Sequence, residues 1–311
     1  VDEPVAGPGQ VVVDIKATGI SFPDVLIVQG LYQFKPPFPF SPGSEISGVV
    51  SSVGEGVTMH KEGDRVMGSI GSGGLREKGV YLEQQLMPLP ESMDFNTAAG
   101  FPLNYGTTYH AFKQRGELKA GQSVLVLGAG GGLGITAIHI AKAMGAKVIA
   151  AASSQEKIDL CKKEGADEGI IYERDMDRDL QKKFSDQIKE VTGGGVDMIY
   201  DLVGGDYAEP ALRAIARHGK YLVIGFTAGI PKMPLNLTLL KECQIVGVFW
   251  GQFAGVDQAE NQQNFKELFD LHAEGKIKPF VTETYTLDES AAAIKTLEDR
   301  KVLGKVVVSM E

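Results

Sequence analysis

The sequence predicts an α/β protein: a doubly wound parallel sheet of six strands inserted in a mainly β domain. Three observations carry this. Ser123 to Ile135 reads as an apolar strand, a glycine-rich turn and the start of a helix. From Val124 onward apolar strands alternate with helices, the pattern of a parallel sheet with helical crossovers. Before Asn96 the chain instead shows short strands, glycine turns and proline-rich loops, and short strands return near the end.

Taken in order, Val11 to Ala17 is a strand that Gly19 is expected to break, and Gly19 to Asp24 reads as a turn. Pro36, Pro37, Pro39 and Pro42 remove backbone donors, so this stretch is irregular. Glu45 to Val53 is a strand, Gly54-Glu55-Gly56 a turn, and Lys61 to Met67 a turn into another strand. Asn96 to Phe101 and Thr107 to Gln114 read as helices. Val124 to Leu127 is an unbroken apolar run, as in a strand buried on both faces. Leu133, Ala137, Ile140, Ala141 and Met144 then recur at helical spacing, and Gly145 caps that helix. Strands follow at Lys147–Ala152, Gly169–Tyr172, Asp197–Val203, Lys220–Gly225 and Gln244–Phe249, with helices at Gln155–Lys163, Asp177–Val191 and Tyr207–Arg217. After Trp250 one long helix is expected through Ala273. Thr282–Thr286 and Lys305–Ser309 are then strands that rejoin the first domain. The expected boundaries are 1–102, 103–251 and 252–311. The cleft between the domains is the expected active site.

The turn Ala129-Gly130-Gly131-Gly132-Leu133 is a phosphate cradle. It lacks side chains that would keep a pyrophosphate from the backbone N–H groups, and the helix N-terminus adds positive charge. Its spacing, Ala129-x-Gly131-x-x-Gly134, puts alanine where the dinucleotide fingerprint has its first glycine. The next strand ends in Ser153 and Ser154 with no acid before Glu156. A carboxylate there would hold a ribose 2′-hydroxyl and repel a 2′-phosphate. Small neutral groups admit a 2′-phosphate, and Lys157 on the first turn of the next helix can reach back to it.

Composition narrows the partners. Net charge is −9, which argues against nucleic acid. No apolar run approaches the roughly 20 residues of a membrane span. Cys161 and Cys243 are the only cysteines, too few for a disulfide scaffold or a thiolate zinc cluster, and they suit a reducing, cytoplasmic setting. The five histidines show no metal-ligand spacing. The chain opens at Val1 without methionine, which leaves open whether the native start is missing.

The chain resembles the medium-chain dehydrogenase/reductases of the zinc-free, zeta-crystallin-like quinone oxidoreductase branch over nearly its whole length. The likeness rests on Gly43-Ser44-Glu45-Ile46-Ser47-Gly48, Lys61-Glu62-Gly63-Asp64-Arg65-Val66, Tyr105-Gly106-Thr107-Thr108-Tyr109, the Gly128 to Gly134 turn and Gly304-Lys305-Val306-Val307-Val308. It implies a Rossmann domain inserted in a GroES-like catalytic domain. The zinc enzymes of the superfamily have metal ligands where this chain has Ser21, Ser44 and, at about that place, Ala99, so no metal is expected.

By the resemblance, Lys157, Tyr172 and Arg300 hold the 2′-phosphate, and Thr107 meets the nicotinamide. Val203, Gly225, Phe226, Phe249 and Gly251 come from strand ends that face the cleft. Tyr32 lines the acceptor pocket, with Ser21, Asn104 and Tyr105 as further candidates, while a second pocket tyrosine is replaced by Leu26. Each also has a plain structural reading: Lys157 and Arg300 as surface charges, Tyr172 and Tyr32 as packed aromatics, Trp250 as core. The implied activity is transfer of reducing equivalents from NADPH to a quinone or an electron-poor enone. An enoyl-thioester reductase and a non-enzymatic NADPH-binding protein remain alternatives. The resemblance also implies a homodimer, with Gln244–Phe249 as the edge strand.

Overall fold

A computed structural model describes residues 3–300 and 302–310. Along the chain the strands are β1 (Gln10–Ile20), β2 (Glu45–Val53), β3 (Arg65–Ser69), β4 (Lys78–Leu82), β5 (Leu86–Pro88), β6 (Ser123–Leu127), β7 (Lys147–Ala152), β8 (Glu168–Ile171), β9 (Val196–Asp201), β10 (Ile215–Val223), β11 (Gln244–Gly247), β12 (Glu283–Thr286) and β13 (Val306–Ser309). They fall into two compact units. One runs to Leu103 and resumes at Pro279; the other spans Asn104–Lys278. Among the described residues no helix is long and apolar enough to cross a membrane.

The first unit is built on one sheet of order β12-β13-β1-β2-β3-β5, with β4 also paired to β1. β1 runs antiparallel to all its neighbours. Its first half, Gln10–Asp14, pairs with β4, and its second half, Ala17–Ile20, with β13. Irregularities at Val12/Val13 and Ile15/Ala17 in its register with β2 accompany this change of partner.

Gly19 does not break β1 as expected; it lies inside the strand. A Cβ there would stand 2.2 Å from the Ala99 carbonyl oxygen, so this glycine marks a close approach and not a break. The expected turn at Gly19–Asp24 is also corrected. Ser21 caps a helix, Phe22–Val28, and the Asp24 carboxylate accepts from the Ser21 N–H at 2.9 Å. The proline stretch is irregular, as expected.

The second unit carries a parallel sheet of order β11-β10-β9-β6-β7-β8, the six strands that the sequence predicts. Val124, Leu125, Val126 and Leu127 are wholly buried, which explains why the run is continuous and not alternating. The helix before β10 ends early, at Arg213. β10 begins at Ile215, and an irregularity before Lys220 takes in His218 at φ +64°. The single helix expected after Trp250 is two, Trp250–Val256 and Gln258–Ala273, interrupted at Asp257. The second of these stays with the parallel sheet's unit, so the return to the first unit falls at Pro279 and not at residue 252. Tyr109 Oη donates to Glu267 at 2.6 Å, which ties this helix to Pro102–His110, and Trp250 packs edge-on to Phe265, which ties it to Trp250–Val256.

Candidate active site

In the second unit β6 ends at Leu127, Gly128 follows with φ +78°, and the chain turns through fully buried Ala129 into the helix Gly132–Ala143. The glycines of this turn serve three different purposes. At Gly134 a Cβ would lie 2.4 Å from the Ala129 carbonyl oxygen, so the turn could not fold back on the helix. Gly130 is covered by the Lys157 stem, with Cβ and Cγ 2.8 Å from where its own Cβ would be. Gly131 has nothing closer than 3.8 Å there, and as N-cap it offers the first helical turn no side-chain acceptor. With Gly132 and Leu133 in that turn, the free N–H groups and open space fit a pyrophosphate.

Ser153 and Ser154 follow β7, and Ser154 caps the next helix, accepting from Lys157 N at 3.4 Å. Burial holds the half-buried Lys157 ammonium below the ordinary lysine range, and Arg174 pushes the same way. Arg174 was not singled out in the sequence because it lies in an unpatterned loop. That loop is pinned by Tyr207, whose hydroxyl donates to the Glu173 and Arg174 carbonyls at 2.8 and 2.7 Å. Tyr172 follows β8 with its ring in the core, 4.7 Å from the Tyr207 ring and 5.9 Å from Phe184. Arg300 belongs to the other unit, on an exposed turn at φ +56°.

The other strand ends are shaped by Asp201. Its buried carboxylate accepts from Val203 N, Gly204 N and Tyr221 Oη at 2.8, 3.0 and 2.5 Å. Val203 thereby sits over Gly128, and Gly225 N bonds the Asp201 carbonyl at 3.1 Å. Phe226 and Phe249 are exposed, and Gly251 lies in the first turn of the helix Trp250–Val256, beside Phe249. Trp250 is core: its indole packs against Gly106 and donates to Asn261 at 2.9 Å. Thr107 and buried Asn104 lie on the helix Pro102–His110. Tyr105 on the same helix is buried and bonded to His139 Nδ1 at 3.0 Å, which turns its hydroxyl into the core.

In the first unit Ser21, Ser44, Asp24, Glu45 and Lys305 form one buried polar cluster. Lys305 Nζ donates to Ser21 Oγ at 2.7 Å and to Glu45 Oε1. Ser21 Oγ donates to the same Glu45 oxygen at 3.0 Å, and Leu103 N to the other at 2.9 Å. Asp24 accepts from Ser21 N, Gly43 N and Ser44 Oγ. Burial raises its carboxyl to about 6. The Tyr32 phenol is raised by burial and then by Asp24. The sequence reading used Lys305 and Glu45 only as marks of resemblance. Nothing in a sequence pairs residues so far apart.

Two family profiles match the chain: an alcohol dehydrogenase GroES-like domain over residues 7–91 and a zinc-binding dehydrogenase over 132–274. The chain is also 38% identical over 308 residues to the quinone oxidoreductase-like protein 2 homolog of Nematostella vectensis, covering 97% of this chain and 82% of that one. The chain is an oxidoreductase of the medium-chain dehydrogenase/reductase superfamily, in its quinone oxidoreductase branch. Among solved structures, Escherichia coli quinone oxidoreductase complexed with NADPH superposes with a TM-score of 0.90 at 30% identity, over 99% of this chain and 94% of that one. CurK enoyl reductase superposes at 0.87 and 25% identity, over 100% and 94%.

The superfamily's zinc profile raises the question of a metal in this medium-chain dehydrogenase/reductase. The donor set does not fit one. Serine hydroxyls replace thiolate and imidazole at 21 and 44, and Ala99 offers no donor. An ammonium, from Lys305, already bonds Ser21 and Glu45. Among the described residues no group of three or more histidines, cysteines and acids could hold a metal.

Proposed function

We propose that the chain reduces quinones, or similar electron-poor conjugated carbonyls, with NADPH and without a metal. The observation that carries this is the pairing of an open, uncapped glycine turn with Lys157 beside it and no acid at the end of β7. The NADPH complex of the Escherichia coli relative supports it. The turn Ala129 to Leu133 binds the pyrophosphate, and Ser153, Ser154, Lys157, Tyr172 and Arg300 serve the 2′-phosphate. Thr107, Val203, Gly225, Phe226, Phe249 and Gly251 serve the nicotinamide. When bound, NADPH supplies the hydride.

Tyr32, Ser21 and Asn104 serve the acceptor. Without a Lewis acid, a simple ketone lacks the polarisation it needs, whereas a quinone or enone spreads the incoming charge over its conjugated system. Tyr32, held protonated by its surroundings, donates a hydrogen bond to the acceptor oxygen. A second reading, an enoyl-thioester reductase, is favoured by the likeness to CurK enoyl reductase. A homodimer through β11 is supported by exposed Leu235, Leu239 and Leu240 beside that edge strand. The two unpaired cysteines suit the cytoplasm.

An acceptor panel of p-quinones, enones and enoyl thioesters, run with NADPH and with NADH, tests the reading. Quinone turnover with a clear NADPH preference is expected. Turnover confined to enoyl thioesters would establish the second reading. Tight NADPH binding with no turnover of any acceptor would leave a binding protein.

A further inference from the structure

We infer, resting on the proposed function, that the Asp201 carboxylate is a positioning residue for the nicotinamide half of NADPH, and that the adenine half does not depend on it. Asp201 ends β9, the strand paired with β6 and so next to the glycine turn. In open parallel sheets ligands bind outside these strand ends. Asp201 is 1% exposed, and among the described residues no lysine or arginine bonds it. A buried carboxylate without a cation is a costly way to hold a turn. What it supplies is strong acceptors with no donor of their own. Oδ1 takes Val203 N and Gly204 N, and Oδ2 takes Tyr221 Oη, so one side chain fixes three donors.

The turn so fixed carries or borders three residues assigned to the nicotinamide. Val203 is set with Cγ2 3.0 Å from where a Gly128 Cβ would lie. The backbone of the same turn holds the exit of β10. Ile224 N and Gly225 N donate to the Asp201 carbonyl at 3.0 and 3.1 Å, Thr227 N to that of Leu202 at 3.3 Å, and Ala228 N to that of Val203 at 2.8 Å. Gly225 and Phe226 lie within that run. Gly204 completes the turn at φ +66°, where a Cβ would stand 2.6 Å from the Gly229 carbonyl oxygen. Ser153, Ser154 and Lys157 follow β7 instead. The order β9-β6-β7 puts that strand two spacings, about 10 Å, from β9. A change at Asp201 therefore falls on one half of the cofactor site and spares the other.

Asp201→Ala and Asp201→Asn test this by calorimetric titration with two ligands, NADPH and 2′,5′-ADP. The second carries the adenosine and the 2′-phosphate but no nicotinamide. Alanine removes every acceptor. It should raise the NADPH Kd about ten-fold or more and leave the 2′,5′-ADP Kd unchanged. Asparagine keeps one neutral oxygen for the turn and should give the same selective loss, reduced to about three-fold. Equal weakening of both ligands would overturn the inference, because it is the mark of a carboxylate that only supports the fold. A wild-type NADPH Kd in folded Asp201→Ala would also overturn it. If Asp201→Ala does not fold, the same two results in Asp201→Asn decide. Failure of the wild type to bind NADPH would instead remove the proposed function, and this role with it.

Discussion

Replacing Gly134 and Gly131 separately by alanine should split folding from cofactor binding. At Gly134 the new Cβ would meet two backbone carbonyl oxygens, Ala129 at 2.4 Å and Gly128 at 2.5 Å. Even a close C–O approach is about 3.3 Å, so β6 and its helix must separate by roughly 0.9 Å. Overpacking of this kind costs up to about 3 kcal/mol, and backbone atoms cannot rotate away. Alanine recovers about 1 kcal/mol of helix propensity. The balance, about 2 kcal/mol, corresponds to a fall of about 4–8 °C in melting temperature for a unit of this size. At Gly131 the backbone is extended, φ −93° and ψ 174°, and the nearest atom is 3.8 Å away. Alanine there costs only a poorer N-cap, about 0.5–1 kcal/mol. It also places a methyl in the open space assigned to the pyrophosphate. Calorimetry should therefore show Gly134→Ala as the destabilised variant. NADPH titration by fluorescence should show Gly131→Ala as the one with a Kd raised about ten-fold or more, since 1.4 kcal/mol is a factor of ten. A wild-type melting temperature for Gly134→Ala, or a wild-type Kd for Gly131→Ala, would refute the division of roles.

Lys157→Ala should raise KM for NADPH about ten-fold or more and leave kcat and the NADH constants nearly unchanged, because a charge-assisted bond to a phosphate contributes about 1.5–3 kcal/mol. Equal losses with both cofactors would show that its stem over Gly130 matters and its charge does not. Asp24, raised from 3.8 to about 6, favours the folded state most when protonated; that contribution is complete below pH 3.8 and is lost as pH rises through 6. Relative to Asp24→Asn, the wild type should therefore lose about 3 kcal/mol between pH 3.8 and 7, read from denaturant melts at both ends. An unchanged difference would mean that its three hydrogen bonds offset its burial. Activity should survive dialysis against a chelator, and zinc-restored activity after a loss would contradict the metal-free reading.

The second unit was legible because its signals are local. Lys147–Ala152 and Gln155–Lys163 stand in the structure with the boundaries their apolar runs predict. The misreadings share one cause. Gly19 looked like a strand breaker, but its reason is Ala99, far along the chain. Asp257 interrupts a helix whose polar residues carried no period strong enough to show it. The packing of the Tyr172 ring with Tyr207 and Phe184 is likewise a tertiary fact that local sequence does not carry. The Lys305–Ser21–Glu45 cluster joins both ends of the chain and has no sequence signature. Charges that are neutralised by tertiary partners cannot be told in a sequence from charges that face water.

β13 has a consequence for synthesis. It lies between β12 and β1, and Val306, Val307 and Val308 are buried there. Until it emerges from the ribosome, β1 keeps an unpaired edge over Ala17–Ile20 and Glu45 waits without its ammonium. The whole second unit is translated during that wait, which at about 5–20 residues per second lasts on the order of ten seconds or more. The parallel sheet can therefore fold first, while the half-made antiparallel sheet stays open to chaperones and to wrong edge pairings.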